Sequence, residues 1–305
     1  MKNAGGNALP RQKLGRAQSR FVFCCLAPVM VLFVVFLLAP IAISVVLSFF
    51  NYSPLSDKAV FVGLKYYSYM LTDPNFIKTI VNTLVFVASA VAINLVLSTS
   101  IALMIYSLTS TRLREMFRAF YFLPVIAPLV GASLVFKNMF DPQYGLVSMV
   151  MERLGSEFSI YWLSDARYAL IAVIIVTLWH DLGYNIVILT TGLYSIPKTY
   201  FESGKIDGAN RWQLFWNITL PLLSRTMAFV SVMTIISYFQ VFTQVQIMTR
   251  GGPSYATQLI AVSIYQNAFE FERMGYASAM AVVLLVLILC VSLIQMKLNQ
   301  SDWEY

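Results

Sequence analysis

Apolar residues fall along this chain in long runs separated by short polar segments. A helix needs about 20 mostly apolar residues to cross a bilayer. Six windows reach that length: residues 21–49, 80–108, 119–140, 167–194, 221–248 and 276–296. The pattern predicts an all-α polytopic membrane protein with six transmembrane helices. The first window is far longer than the core of a secretion signal, and no small-residue cleavage site follows it, so it is expected to remain as a spanning helix. Pro28 and Pro40 in the first window, and Pro124 and Pro128 in the third, are tolerated where neighbouring helices satisfy the freed carbonyls. Asn82, Asn94, Gln240 and Gln244 are amides at membrane depth, placed either to bridge helices or to line an aqueous path.

Composition strengthens this picture. Of 305 residues 59% are apolar and 11% charged, with a mean hydropathy of +0.72, whereas a soluble domain is about a quarter charged. A water-soluble enzyme and a disordered chain are both excluded. Cys24, Cys25 and Cys290 lie in apolar runs without metal-ligand spacing and read as small buried hydrophobes. His180 is the single histidine, too few for a histidine-rich metal site.

Charge sets the expected orientation. With both termini in the cytoplasm, thirteen of the 21 basic residues fall inside: Lys2, Arg11, Lys13, Arg16 and Arg20 in the first tail, Arg112, Arg114 and Arg118 after the second span, Lys198, Lys205, Arg211 and Arg225 around the loop before the fifth, and Lys297. The outer segments hold eight basic and eight acidic residues, Asp57 and Glu157 among the acids, so the net charge of +7 lies on the cytoplasmic side. Positive-inside topology accounts for the basic balance without a nucleic-acid partner.

The loop between spans four and five carries the densest pattern. Pro197 and Thr199 are start signals for a short helix bearing Tyr200, Phe201, Glu202 and Lys205. Gly208 interrupts it. A second piece from Ala209 to Trp216 exposes Trp212, Phe215 and Trp216 beside Arg211 and Gln213, and Pro221 opens the fifth span. Such a loop suits either the headgroup region of a membrane or a groove in a soluble partner.

In this loop Glu202, Gly208 after five intervening residues, and Ile218-Thr219-Leu220-Pro221 after nine more match the spacing of the cytoplasmic signature of ATP-binding-cassette importer permeases; Ser203 and Gly204 stand where that family usually has alanine, and Gly204 is expected to loosen the first helical turn. Asn82-Thr83-Leu84, Phe122-Leu123-Pro124, Asp207-Gly208-Ala209, Met248-Thr249-Arg250-Gly251-Gly252-Pro253 and Gly275-Tyr276-Ala277-Ser278-Ala279 resemble the carbohydrate branch of the family, which includes maltose- and glycerol-3-phosphate-type permeases. The resemblance implies a type I permease core over residues 71–297, preceded by a cytoplasmic tail (1–20) and an additional N-terminal helix (21–50), and followed by a cytoplasmic tail (298–305). It further implies that residues 196–219 form a coupling loop docking on a cytoplasmic ATPase dimer through Glu202, Ser203, Gly204, Asp207, Gly208, Ala209, Arg211 and Phe215. ATP and magnesium would bind that ATPase and no cofactor this chain, in keeping with the lack of a Gly-x4-Gly-Lys-Ser/Thr loop. The other implied partners are a second homologous permease, an extracytoplasmic solute-binding protein and a carbohydrate, at a prokaryotic inner membrane.

Candidate solute contacts follow from helical spacing. Thr177, Asp181 and Tyr184 share one face of span four, and Asp181 is the one acid inside a predicted span. Intramembrane ionisable residues are functional candidates, although Asp181 could instead pair with His180 or Arg211. Ser237, Gln240 and Gln244 share a face of span five, with Tyr238 adjacent. The resemblance puts the solute cavity among these helices. An ion-gradient-driven secondary transporter is the alternative reading, but the internal repeat typical of that class is not seen; a polytopic enzyme would need a nucleophile–base pair or metal cluster.

Overall fold

A computed structural model of the chain describes residues 16–56, 58–153 and 161–298. Lys2, Arg11, Lys13, Asp57, Glu157 and the tail 299–305 lie outside them. Five helices are long and apolar enough to span a membrane: Val22–Leu47, Pro74–Ser107, Ala166–Ser195, Arg211–Met248 and Met274–Lys297. The sixth crossing expected from hydropathy is a bent pair, Thr111–Ile126 and Leu129–Met139, whose axes meet at 92°. Hydropathy gives this window, 119–140, as a single span, and Pro128 divides it into two helices. Proline lacks a donor and excludes α conformation from the residue before it, and Ala127 is extended at ψ 133°.

Prolines in the first and fifth spans act differently. A wide π-helical turn, Val34–Leu38, ends two residues before Pro40, and another, Phe215–Thr219, ends two residues before Pro221. Shifting to i→i+5 bonding, as in Ala39 N–H to Val34 O and Leu220 N–H to Phe215 O, removes the bond that the proline could not make. Both helices continue across it.

The core is built from spans two, four and five. Phe86, Val87, Ala90 and Val91 of the second span pack with Val173, Ile174 and Leu178 of the fourth and Tyr238 and Phe239 of the fifth. A second cluster lies farther along the same helices and joins Ala102, Leu189, Leu193, Ile196, Leu223 and Val230. The sixth span packs on the fifth and on the Ala39–Leu47 part of the first, while Val22–Leu38 has no buried residue. Cys24, Cys25 and Cys290 are exposed on the chain's outer surface, contrary to the expectation of burial. Outward faces of a membrane protein meet lipid, so an apolar side chain gains nothing there from leaving the surface.

At one end of the bundle, a two-residue antiparallel ladder pairs Phe50 with Phe61 and Asn51 with Val60. Helix Lys65–Thr72 follows, and Asp73 caps the second span by accepting from Asn75 N–H at 3.0 Å. At this same end the 249–258 loop is pinned to the second span: Lys78 Nζ donates to Ser254 O and Asn82 Nδ2 to Tyr255 O, both at 2.7 Å, and Thr83 Oγ1 accepts from Ile260 N–H at 3.0 Å. The Asn82-Thr83-Leu84 motif therefore meets the residues that directly follow the Met248–Pro253 segment, far away in sequence.

Candidate functional site

The loop between spans four and five folds into two helices. The first, Lys198–Ile206, closes in a Schellman motif: Gly208 N–H bonds to Lys205 O at 3.1 Å and Ala209 N–H to Gly204 O at 2.9 Å. That closure requires a left-handed residue, and Gly208 sits at φ +80°. The second helix starts with a capping box, in which Gln213 N–H donates to Asn210 Oδ1 at 2.9 Å and Asn210 N–H to Gln213 Oε1 at 2.8 Å. It begins at Arg211, and instead of ending near Trp216 it runs through the Phe215–Thr219 turn into the fifth span.

Gly204 does not loosen its helix. A Cβ there would lie 2.7 Å from Leu214 Cδ2 and 3.0 Å from Ile218 Cδ1, so the glycine lets the two arms of the loop close on each other. Glu202, Ser203, Asp207, Gly208 and Arg211 are exposed, whereas Gly204, Ala209 and Phe215 are half-buried between the arms. Glu202 has no ion-pair partner among the described residues. Ile206 and Trp212 are 86% and 68% exposed, an apolar surface on a polar loop.

Farther along the fifth span, a cavity of about 240 Å³ opens between it, the fourth span and Val125, which precedes the bend of the third. Asp181 and Tyr184 line it from one side and Ser237 and Tyr238 from the other, with Asn185, Met233 and Thr234. Asp181 is the one charged residue of the lining. Its Oδ1 lies 2.6 Å from His180 Nδ1, so it pairs with His180 and not with Arg211. Within the wall, and reaching back to Asn94, a buried network ties three spans together. Asn185 Nδ2 donates to Asn94 Oδ1 at 2.6 Å and to Thr234 Oγ1 at 3.0 Å, and Asn94 Nδ2 donates to Tyr238 OH at 2.7 Å.

Three expected solute contacts are not in the lining. Thr177 is fully buried, with its hydroxyl returned to Val173 O at 2.9 Å. Gln240 terminates the helix Leu220–Phe239 and is exposed beyond the cavity, and Gln244 belongs to the next segment, Thr243–Met248, where it is buried. The spacing argument assumed an unbroken helix through 248, and the break at 240–242 turns both amides away. Asn185 and Thr234 were missed, although Asn185 is i+4 from Asp181 and Thr234 is i−3 from Ser237.

Membrane-crossing helices, a cavity walled by three of them and a stiff two-helix loop projecting from the fifth define an integral-membrane transport subunit. The chain belongs to the family of binding-protein-dependent transport system inner membrane components, whose profile matches residues 94–301. It is 32% identical to the probable ABC transporter permease protein YurN of Bacillus subtilis, over 92% of this chain and 96% of that one. It is 34% identical to the multiple sugar-binding transport system permease protein MsmF of Streptococcus mutans, over 89% and 92% respectively. Its fold is shared with a chain of a bacterial ABC transporter involved in the import of the acidic polysaccharide alginate, at a TM-score of 0.82 and 21% identity, covering 94% of this chain and 98% of that one. The chain is thus a multi-pass inner-membrane permease of an ATP-binding-cassette importer, a non-catalytic subunit whose ATP is hydrolysed by a separate ATPase.

Proposed function

We propose that this permease carries a carbohydrate, that residues 196–219 are its coupling loop, and that the cavity around Asp181, Tyr184, Ser237 and Tyr238 is its part of the solute path. The observation that carries this reading is the continuity of the Arg211 arm with the helix that lines the cavity. A push on the loop reaches the cavity wall without crossing a flexible joint. Exposed Glu202 offers a charge to a basic group or helix terminus of the ATPase. ATP, bound better by the closed than by the open ATPase pair, supplies the differential affinity that a two-state switch needs.

For the solute, MsmF is by its name a sugar permease component. A carboxylate, a serine hydroxyl and a tyrosine ring are the groups that sugar hydroxyls and ring faces call for. The complete assembly in this reading adds a second permease related by a pseudo-two-fold axis, an ATPase pair and an extracytoplasmic solute-binding protein, and both termini of this chain are cytoplasmic. Reconstitution of that assembly in proteoliposomes tests the proposal. Oligosaccharide uptake should require ATP on the ATPase side and persist when ionophores collapse ion gradients. Uptake driven by a proton or sodium gradient without ATP would favour a secondary transporter.

A further inference from the structure

Arg114 and Arg118 lie one turn apart near the start of Thr111–Ile126, and their guanidinium carbons sit 5.6 and 5.0 Å from the centroid of the Tyr194 ring at the end of the fourth span. Tyr106 packs on that ring at 5.3 Å. Both arginines are fixed from within the chain: Arg114 Nε donates to Leu108 O at 2.5 Å, and Arg118 Nη1 to Glu115 Oε1 at 3.1 Å. Arg118 Nε is buried and has no acceptor among the described residues, so the guanidinium is under-satisfied within them. Two cations thus converge on one ring, and among the described residues Glu115, a largely exposed side chain, is the one acid paired with either. Like charges at this range repel, and preset guanidiniums with spare donors are the arrangement that binds a phosphate.

The apolar surroundings indicate which phosphate. Leu113, Phe117 and Phe120 are exposed by 43%, 38% and 67%. At about 100° per residue they form a strip some 80–140° around the helix from the midline of the two arginines. Tyrosines and arginines at the foot of spanning helices mark the headgroup level of a bilayer. We infer that Arg114, Arg118 and Tyr194 hold the phosphate of an anionic glycerophospholipid, with its acyl chains lying along Leu113, Phe117 and Phe120. The site shares no residue with the lining of the solute cavity and does not depend on which solute is carried.

Native mass spectrometry of the full chain, purified with its co-assembled importer subunits in mild detergent and delipidated, tests this directly. Phosphatidylglycerol added back should bind about tenfold or more tightly than phosphatidylcholine of the same chains, a comparison that needs no variant. Arg114→Gln with Arg118→Gln should abolish that preference, the double change to Lys should keep most of it, and Arg112→Gln should leave it intact. Millimolar inorganic phosphate should not displace the lipid; displacement would make this a site for a soluble anion and overturn the lipid assignment. Equal binding of the two lipids, or an unchanged preference in the double Gln variant, would overturn it as well. So would binding that emerges only after the other subunits are stripped away, because the arginines would then belong to a protein contact.

Discussion

Asn185 of the fourth span donates to the side-chain oxygen of Asn94 in the second at 2.6 Å, and the remaining amide of Asn94 reaches Tyr238 of the fifth at 2.7 Å. Each residue is at most 4% exposed, so the chain of bonds has no water to fall back on. In a membrane such interhelical bonds contribute about 0.6–1.7 kcal/mol each. Asn185→Leu should therefore lower stability by about 1–3 kcal/mol, and the cost should shrink when Asn94 is already Leu. Thermal melts of both singles and the double give the coupling; simple additivity would show the network to be idle.

The Schellman closure makes Gly208 the sensitive position of the loop. No atom crowds its Cβ position, so Gly208→Ala is penalised through φ alone, by about 1–2 kcal/mol. The expected phenotype is a loop that no longer presents Glu202, with ATPase lost on co-purification. Glu202→Ala should weaken docking by about 1.5–3 kcal/mol if it makes a charge-assisted bond, while leaving the melt unchanged. Full transport and assembly in both variants would remove the coupling role.

In the proposed path, lining of the cavity separates Ser237 from Gln240. Ser237→Leu fills part of the cavity and Asp181→Asn removes its only charge; both should cut uptake about tenfold or more at retained ATPase recruitment, since one lost buried partner costs about 1–3 kcal/mol. Gln240→Leu, outside the lining, should transport normally. Uptake lost in Gln240→Leu but kept in Ser237→Leu would relocate the path.

Two acids in the segments flanking spans three and four should give a small pH dependence. Asp141 accepts from the backbone N–H groups of Tyr144 and Gln143, and Asp165 bonds the side chain and backbone N–H of Arg167, which holds both carboxyls below the usual carboxylate range. A depressed folded pKa means stability that is complete above the ordinary carboxylate pKa and lost as pH falls through the folded value. Asp165→Asn should flatten the acid limb of a melting-temperature profile and leave the neutral limb parallel to wild type. Both side chains are half-buried at the surface and still reach solvent, so the change is modest. An unchanged acid limb would deny Asp165 its share.

Orientation is open to a labelling test. The three cysteines are exposed, so they can be replaced by serine without opening a core cavity. In that background Ser203→Cys and Asn210→Cys should react with a membrane-impermeant reagent only after cells are broken. Reaction in intact cells would invert the topology.

Hydropathy was enough to locate the five long helices and the bent pair among the described residues, because burial in lipid depends on the sum of side chains over a span and not on their order. It was blind to the 92° turn at Ala127, which one proline imposes inside an unbroken apolar window. The same blindness misplaced Gln240 and Gln244: period-3.6 reasoning carries a face only as far as the helix lasts, and this one stops at Phe239. The loop was more legible, since Gly208, Asn210 and Gln213 act through neighbours in sequence. Gly204 was misjudged because its purpose lies in the opposite arm, which propensity cannot see. Cys24, Cys25 and Cys290 show the remaining gap, as hydrophobicity in a bilayer says a residue avoids water without saying whether it meets protein or lipid.

The wide turn at Phe215–Thr219 keeps the helix in one piece past Pro221, and this makes the fifth span a lever. From Trp212 to Ser237 it is about 37 Å long at 1.5 Å per residue. A tilt of about 5° imposed at the loop therefore sweeps the cavity wall by about 3 Å, the width of a water molecule. On the proposed reading, small rotations at the loop end would be enough to reshape the cavity wall.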